Sequence, residues 1–454
     1  MRWIKGVVVA LALLAALALA LPLLFPLDSY IPRIEQEAAA RLRQPVSIRA
    51  LRVALLPRPH VTVEGIRVGA DSAISVGALR VFPHLASLAS APRVIDVQVD
   101  SPVLSQKGLA ALSALGGGPS SGAPPVRVES VRLDNALANL NAGHFGPFNA
   151  RLKLDQAGRP LEINIGTPDG KLKATVTPGG SVQLITVTAT GWTLPAGPAL
   201  LLDELAVKGT ATADEAVFDT ISAKLYGGSV TGRLKVGWQK GLRLNGQFDV
   251  QRVETRHVAA LLSPKTHVSG QLFAKPVISA AAASPEQLAG ALRVESPFRI
   301  HNGVIHGVDV QQAATSLIKQ GSSGGETRFE ELSGRVVMER EAFHFTGLQV
   351  ASGVLAADGN VDISPKKELG GRINAKVKAL GVSTGVPLNV SGTLDHPLLL
   401  PTGAYLAGAA VGTAVMGPGL GTTMGAKVGD WAESLFGKKE TDKDAGKRAK
   451  KSGK

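Results

Sequence analysis

The sequence predicts a mainly β protein: an elongated, twisted antiparallel sheet curled into an apolar groove, with one N-terminal transmembrane helix and few short helices. Three observations predict it. Apolar and polar residues alternate with a period of two through most of the chain beyond residue 43. A long charge-free apolar run opens the chain. Aromatic residues make up only 4% of the 454 residues, few for filling the space between two packed sheets.

The opening run comes first. Arg2 and Lys5 precede 22 charge-free residues from Gly6 to Leu27, enough to cross a hydrocarbon core of about 30 Å at about 1.5 Å per residue. Val7, Leu11, Leu14, Leu17, Leu21 and Leu24 carry this run. A cleaved signal peptide is the rival reading, because Ala16-Leu17-Ala18 and Ala18-Leu19-Ala20 resemble cleavage sites. The run continues past them through Leu21, Leu23, Leu24 and Phe25, which favours an uncleaved anchor over residues 1–27. Basic residues at its start then stay on the cytoplasmic side, with the bulk of the chain across the membrane.

Residues 28–43 read as a short helix. Pro32 suits a first turn, and Ile34, Ala38 and Leu42 recur every four residues. A β region over 44–115 follows. Its first part, QPVSIRALRVALLPRPHVTVEGIRVG, alternates across a turn at Pro57-Arg58-Pro59. The alternation changes phase at Ala50-Leu51 and again at Gly65. Residues 116–125, GGGPSSGAPP, form a linker by composition. Strand patterns fill a middle region, 126–285, with VRVESVRL, LEINI, SVQLITVTA, GRLKVGW and LRLNGQFDV as the clearest. They continue through 286–401, where PLNVSGTLD closes the series. A glycine opening an alternating strand recurs at Gly232, Gly246, Gly290, Gly334, Gly359 and Gly371, as in a meander of strands and short turns. Roughly 20 strands at about 4.8 Å spacing would make a sheet roughly 100 Å long. Helical patterns are few: Gly108–Leu115, Arg256–Leu262 and Asp309–Gln320, the last placing Val310, Ala313, Ala314 and Leu317 on one face.

The chain ends differently. Residues 402–436 are glycine-rich, and Gly408, Gly412, Gly417, Gly421 and Gly425 include three G-x-x-x-G spacings. Either a short hairpin dipping into a bilayer or a flexible tether fits them. Val428, Trp431 and Leu435 share one helical face suited to a membrane surface. Residues 437–454 form a basic tail with disordered composition, holding eight Lys or Arg and three Asp or Glu.

Composition excludes several chemistries. The net charge is +13, but no basic segment is interleaved with aromatics, which argues against nucleic acid. Cysteine is absent, so disulfides and thiolate metal sites are excluded. His301 and His306 flank a turn without a third ligand close in sequence. No G-x-S-x-G elbow occurs, and GPGLGTTMGAK lacks the order of a phosphate loop. The reading is therefore a non-enzyme, with no catalytic, cofactor or metal residue nominated.

A sheet with one apolar face must cover it. Aliphatic side chains suit acyl chains, and a 16-carbon chain would gain on the order of 12 kcal/mol on leaving water. The candidate lining residues are Val46, Ile48, Val53, Leu55, Val61 and Val63 near the anchor. Further along they are Leu234, Val236 and Phe248, then Val361, Leu388 and Val390.

The order of these motifs resembles the AsmA family of Gram-negative envelope proteins. The resemblance runs from PVSIRALRVALLPRPHVTVEGIRVG through ISVGALRVFPHLASL, VIDVQVDSPVLSQKG and AKLYGGSVTGRLKV. It continues in PFRIHNGVIHGVDV, VASGVLAADGNVDISP and VPLNVSGTLDHPLLLP. It implies a curled β-groove, anchored in the inner membrane with its bulk in the periplasm. It also implies phospholipid passage and support of outer-membrane lipid homeostasis and assembly. The alternative it implies is a non-enzymatic assembly factor contacting outer-membrane or envelope proteins. The chain departs from the family in being short and in its glycine-rich end.

Overall fold

The computed structural model describes residues 27–407, apart from 43, 88–92, 109–125, 316–323, 378–384 and shorter breaks. The anchor residues Val7, Leu11, Leu14, Leu17, Leu21 and Leu24 lie outside the described residues. So do Gly408, Gly412, Gly417, Gly421, Gly425 and Trp431, the linker 116–125 and the basic tail. Among the described residues no helix is long and apolar enough to cross a membrane. Twenty-four strands are defined among them, and they form one mixed sheet. The chain divides into two compact units, Met1–Thr220 and Ile221–Lys454.

The first unit begins with a 3-10 turn (Leu27–Tyr30) and helix α1 (Ile31–Leu42). Pro32 sits in the first turn, where its missing N–H costs nothing. Ile34 is exposed, contrary to the expected face. The reason is local: Glu35 turns inward instead and accepts the Ile48 N–H at 2.7 Å.

Strands β1 (Val46–Ser47) and β2 (Ala50–Ala54) both pair with β3 (His60–Val68). Ile48 and Arg49 interrupt the two short strands opposite Gly65, whose φ of +64° suits glycine. The phase change read at these positions is this interruption. β3 pairs with β4 (Ile74–Pro83), and β4 with β5 (Arg93–Asp100) and β6 (Val103–Ser105).

The next ladder corrects the purely antiparallel expectation. β7 (Val126–Leu140) runs parallel to both β5 and β6. Parallel neighbours need a crossover of a dozen or more residues, and the long connection between Ser105 and Val126 supplies it. Antiparallel pairing then resumes through β8 (Gly143–Leu154), β9 (Pro160–Gly166), β10 (Leu172–Gly179), β11 (Val182–Thr193) and β12 (Leu201–Ala211). Strand β13 (Glu215–Leu225) contains the division between the units.

The second unit starts with β14 (Gly228–Gly237) against β15 (Leu242–Glu254). Helix α2 (Arg256–Ala259) follows. One half of β15 pairs with β16 (His267–Ala274) and the other with β17 (Val277–Ala282). Both of these pair with β18 (Arg293–His306). From there the ladder is antiparallel through β19 (Glu326–Glu339), β20 (Ala342–Ala351), β21 (Leu355–Ile363), β22 (Leu369–Val377), β23 (Gly385–Thr393) and β24 (His396–Pro401). Gly290, expected to open a strand, lies in the turn before β18.

Helix α3 (Val310–Thr315) interrupts the strands where the 3.6-residue pattern predicts it. Asp309 caps it, its Oδ1 accepting the Gln312 N–H at 2.8 Å. Val310, Ala313 and Ala314 are buried against Leu355, Ala375, Leu388 and Tyr405, the main packed core of this unit. Leu317 lies outside the described residues.

Candidate functional site

Directly paired residues in neighbouring strands point to the same face, so register alone traces what each face carries. In the first unit Val53 opposes Val61, Val61 opposes Val81, and Val81 opposes Val97. Val97 opposes Val131 and Val131 opposes Leu152. The row goes on through Ile163, Val176 and Ile185 and stops at Gly209. A second row on the same face begins with Leu51, Val63, Leu79, Val99 and Leu133 and ends with Val187 opposing Val207. Together they make an apolar lane perpendicular to the strands. Across its ten strands the lane measures roughly 40 Å at about 4.8 Å per strand.

The opposite face is polar at the interleaved positions. Arg52, Thr62, Arg80, Gln98, Arg132 and Arg151 oppose one another in turn. Gln98 donates to Asp100 at 3.1 Å and to Asp134 at 2.9 Å, beside the Arg80–Asp100 ion pair. Ser130 donates to Asp96 at 2.6 Å across the parallel ladder. Burial alone would raise the Asp96 carboxyl, but hydrogen bonds with Ser130 and His84 outweigh it and hold the group below its ordinary range. These contacts fix the register that keeps every lane residue on one face.

The lane is only partly covered. Val63 is buried, whereas the other lane side chains remain half-buried. Large buried side chains concentrate instead in the second unit, around α3. Val53, Val61 and Val63, predicted from alternation, sit in the lane. Val46 pairs with Val68 on the short β1 ladder, Ile48 lies between strands, and Leu55 follows β2.

In the second unit Leu234 opposes Gly246, which opposes Ile278, and Val236 opposes Leu244, which opposes Ala280, forming two short rows on one face. Phe248 pairs with Gly232 and lies flat on the sheet. Its ring fills the space where a Cβ at Gly232 or Gly246 would stand.

Beyond these rows the sheet curls around a cavity. One cavity of about 280 Å³ is walled by residues from eight strands, β16 and β18 to β24. Val268, Phe298, Leu332, Val350, Val361 and Leu399 represent the walls, and Val308 and Val310 at α3 form a floor. Eight strands give an interior just wide enough for side chains or one small ligand. Of the predicted residues, Val361 and Val390 line the cavity, whereas Leu388 is fully buried in the packed core under α3. The sequence reading missed Phe298, Ile300 and Leu332. Alternation in PFRIHNGVIH marked the first two as inward-facing, but nothing local marked the cavity.

The outer face of this unit holds a polar chain. Ser269 Oγ lies 3.0 Å from His306 Nε2, and His306 Nδ1 lies 3.0 Å from Glu326. His267 stacks on His306 with ring centroids 4.5 Å apart. Burial, reinforced by the neighbouring His306, pushes His267 below its ordinary value of 6.5. Ser269 is buried, and the adjacent Gly270 N–H is already donated to Glu254 at 2.9 Å. The chain thus ties three strands together. His301 instead faces Glu331 at 3.9 Å. Among the described residues no three His, Asp or Glu groups are placed to hold a metal.

No protein-family model matches the chain, and no curated protein matches it.

Proposed function

We propose that the protein is an AsmA-like, inner-membrane-anchored periplasmic carrier that binds phospholipid and passes it along an apolar β surface. In this role it supports outer-membrane lipid homeostasis and assembly. The observation that carries this reading is the lane in the first unit: continuous aliphatic rows, left half-buried, with a polar face behind. A partly covered aliphatic stripe of this size favours an apolar occupant, because each buried methylene contributes about 0.8 kcal/mol without directional contacts. No step of the reading needs a reacting group, cofactor or metal. The test is lipid mass spectrometry on the full-length chain purified in a non-lipid polymer. The reading requires co-purified phospholipid near one equivalent or more, falling at least fivefold when Val97 and Val176 are both changed to Asp. Lipid-free protein, or lipid content indifferent to these changes, contradicts it.

A second reading, an assembly factor for outer-membrane or envelope proteins, has one observation in its favour. Among the described residues β2 pairs only with β3, and its five residues contain no proline to block a further strand. Crosslinking from Arg52 that traps a protein, with no lipid on the lane, would favour this alternative.

A further inference from the structure

The cavity of the second unit has a seam. Its two outermost wall strands, β16 and β24, are not joined by a ladder among the described residues. Pro397 and Pro401 lack the N–H groups that such a ladder needs on β24. Side chains bridge the gap instead. Ser263 Oγ donates to Asp395 Oδ1 at 2.6 Å, and Lys265 Nζ lies 3.5 Å from His396 Nε2. These groups stand at the cavity rim, since Thr266, Leu394 and Pro397, their chain neighbours, all line it. The rim is cationic: Lys265 and Lys367 flank the Asp395 carboxylate, with the His396 ring beside Lys265. Thr266 lines the cavity through its apolar atoms, with Oγ1 enclosed beside Gly307. The interior behind it is aliphatic and aromatic, closed below by α3.

We propose that this cavity is a site for one single-chain anionic amphiphile, with its aliphatic chain inside and its carboxylate or phosphate head at Lys265 on the rim. The inference rests on the lipid reading above for the class of molecule the protein meets, but it concerns a different site and a different lipid. About 280 Å³ is the volume of roughly nine waters, which suits one chain of about ten carbons and not the two chains of a phospholipid. The cationic rim complements a head of one or two negative charges. The Ser263–Asp395 bridge and the Lys265–His396 contact span the seam, so the chain enters where they open.

The experiment is photolabelling of the full-length chain in lipid nanodiscs with a diazirine-bearing decanoate, the adducts being mapped by mass spectrometry. Labelling is expected on the segments carrying Leu332, Val350 and Ile373. Competition by straight-chain carboxylates should strengthen about fourfold per added methylene, then level off near ten carbons. Lys265→Ala should weaken decanoate about tenfold and leave decanol unchanged, and decyl phosphate run beside decanoate separates the two head chemistries. Leu332→Trp should abolish labelling; Ala357→Phe serves the same purpose if the first variant loses its circular dichroism. Adducts scattered over the chain, competition that keeps rising past fourteen carbons, or indifference to Lys265→Ala overturn the inference. Phospholipid captured at Val97 with no decanoate site overturns it while leaving the lane standing. A mapped decanoate site with no lipid at Val97 supports it and counts against the lane.

Discussion

Leu388 and Val176 are both aliphatic residues on an inward-facing row, yet they differ in what covers them. Leu388 has no exposed surface and packs under α3. Truncation to Ala leaves a cavity there and should cost roughly 2–5 kcal/mol. Val176 is half-buried on the lane, so Val176→Ala should cost less than about 1 kcal/mol. Denaturant unfolding of the two variants, followed by hydrogen exchange in each unit, checks the contrast; equal losses would mean that the lane is as well packed as the core. His267 makes a second prediction. Its folded value lies below 6.5, so the unfolded chain takes up the proton first as the pH falls. The stabilising contribution is complete above 6.5 and is lost below it, toward the depressed folded value. The groups facing the ring are His306 and Arg256, with Glu326 and Ser269 on the far side of His306. Thermal unfolding of the second unit should therefore shift down between pH 7.5 and 5.5, and His267→Asn should flatten that shift. An unchanged slope in the variant would assign the pH response elsewhere. At this scale the sequence marked which residues point inward, through simple alternation at Val61 and Val63 or at Leu388 and Val390. It did not mark which are covered, because cover comes from α3, packed at long range.

Helix α3 acts as an element that converts a curled sheet into a cavity with a floor. Ala313 is buried at its centre. Ala313→Glu would place a carboxylate against Leu355 and Leu388 and should destabilise the second unit by roughly 3 kcal/mol or more, readable as loss of amide protection in β22 and β23. Protection equal to that of the parent chain would mean that α3 does not close the core. The helix was legible because Val310, Ala313 and Ala314 carry its period and Asp309 its cap. The parallel pairing of β5 with β7 was not legible. Their alternation is the same in either direction, and the crossover lies in the Gly-Ser-Pro stretch read as a linker. The seam at Ser263 and Asp395 was hidden for a related reason, since its partners lie 132 residues apart in sequence and both are ordinary turn residues.

At the scale of the whole molecule, the proposed function rests on where cover is complete and where it is not. The second unit buries its apolar face against α3 and around one small cavity, while the first unit leaves aliphatic rows half-buried across ten strands. On the proposed function, a charge placed on the lane should interrupt lipid transfer without unfolding the chain. Val131→Asp is expected to slow phospholipid transfer between donor and acceptor vesicles at least tenfold, whereas Arg151→Ala, on the polar face, should leave it unchanged. The most direct measurement is a photo-crosslinking scan along β5, with a photoreactive residue placed in turn at Asp96, Val97, Gln98 and Val99 of the full-length chain in cells. The lane predicts phospholipid adducts with a period of two, strong at Val97 and Val99 and absent at Asp96 and Gln98. Adducts of equal strength on both faces, or none at any position, would contradict it.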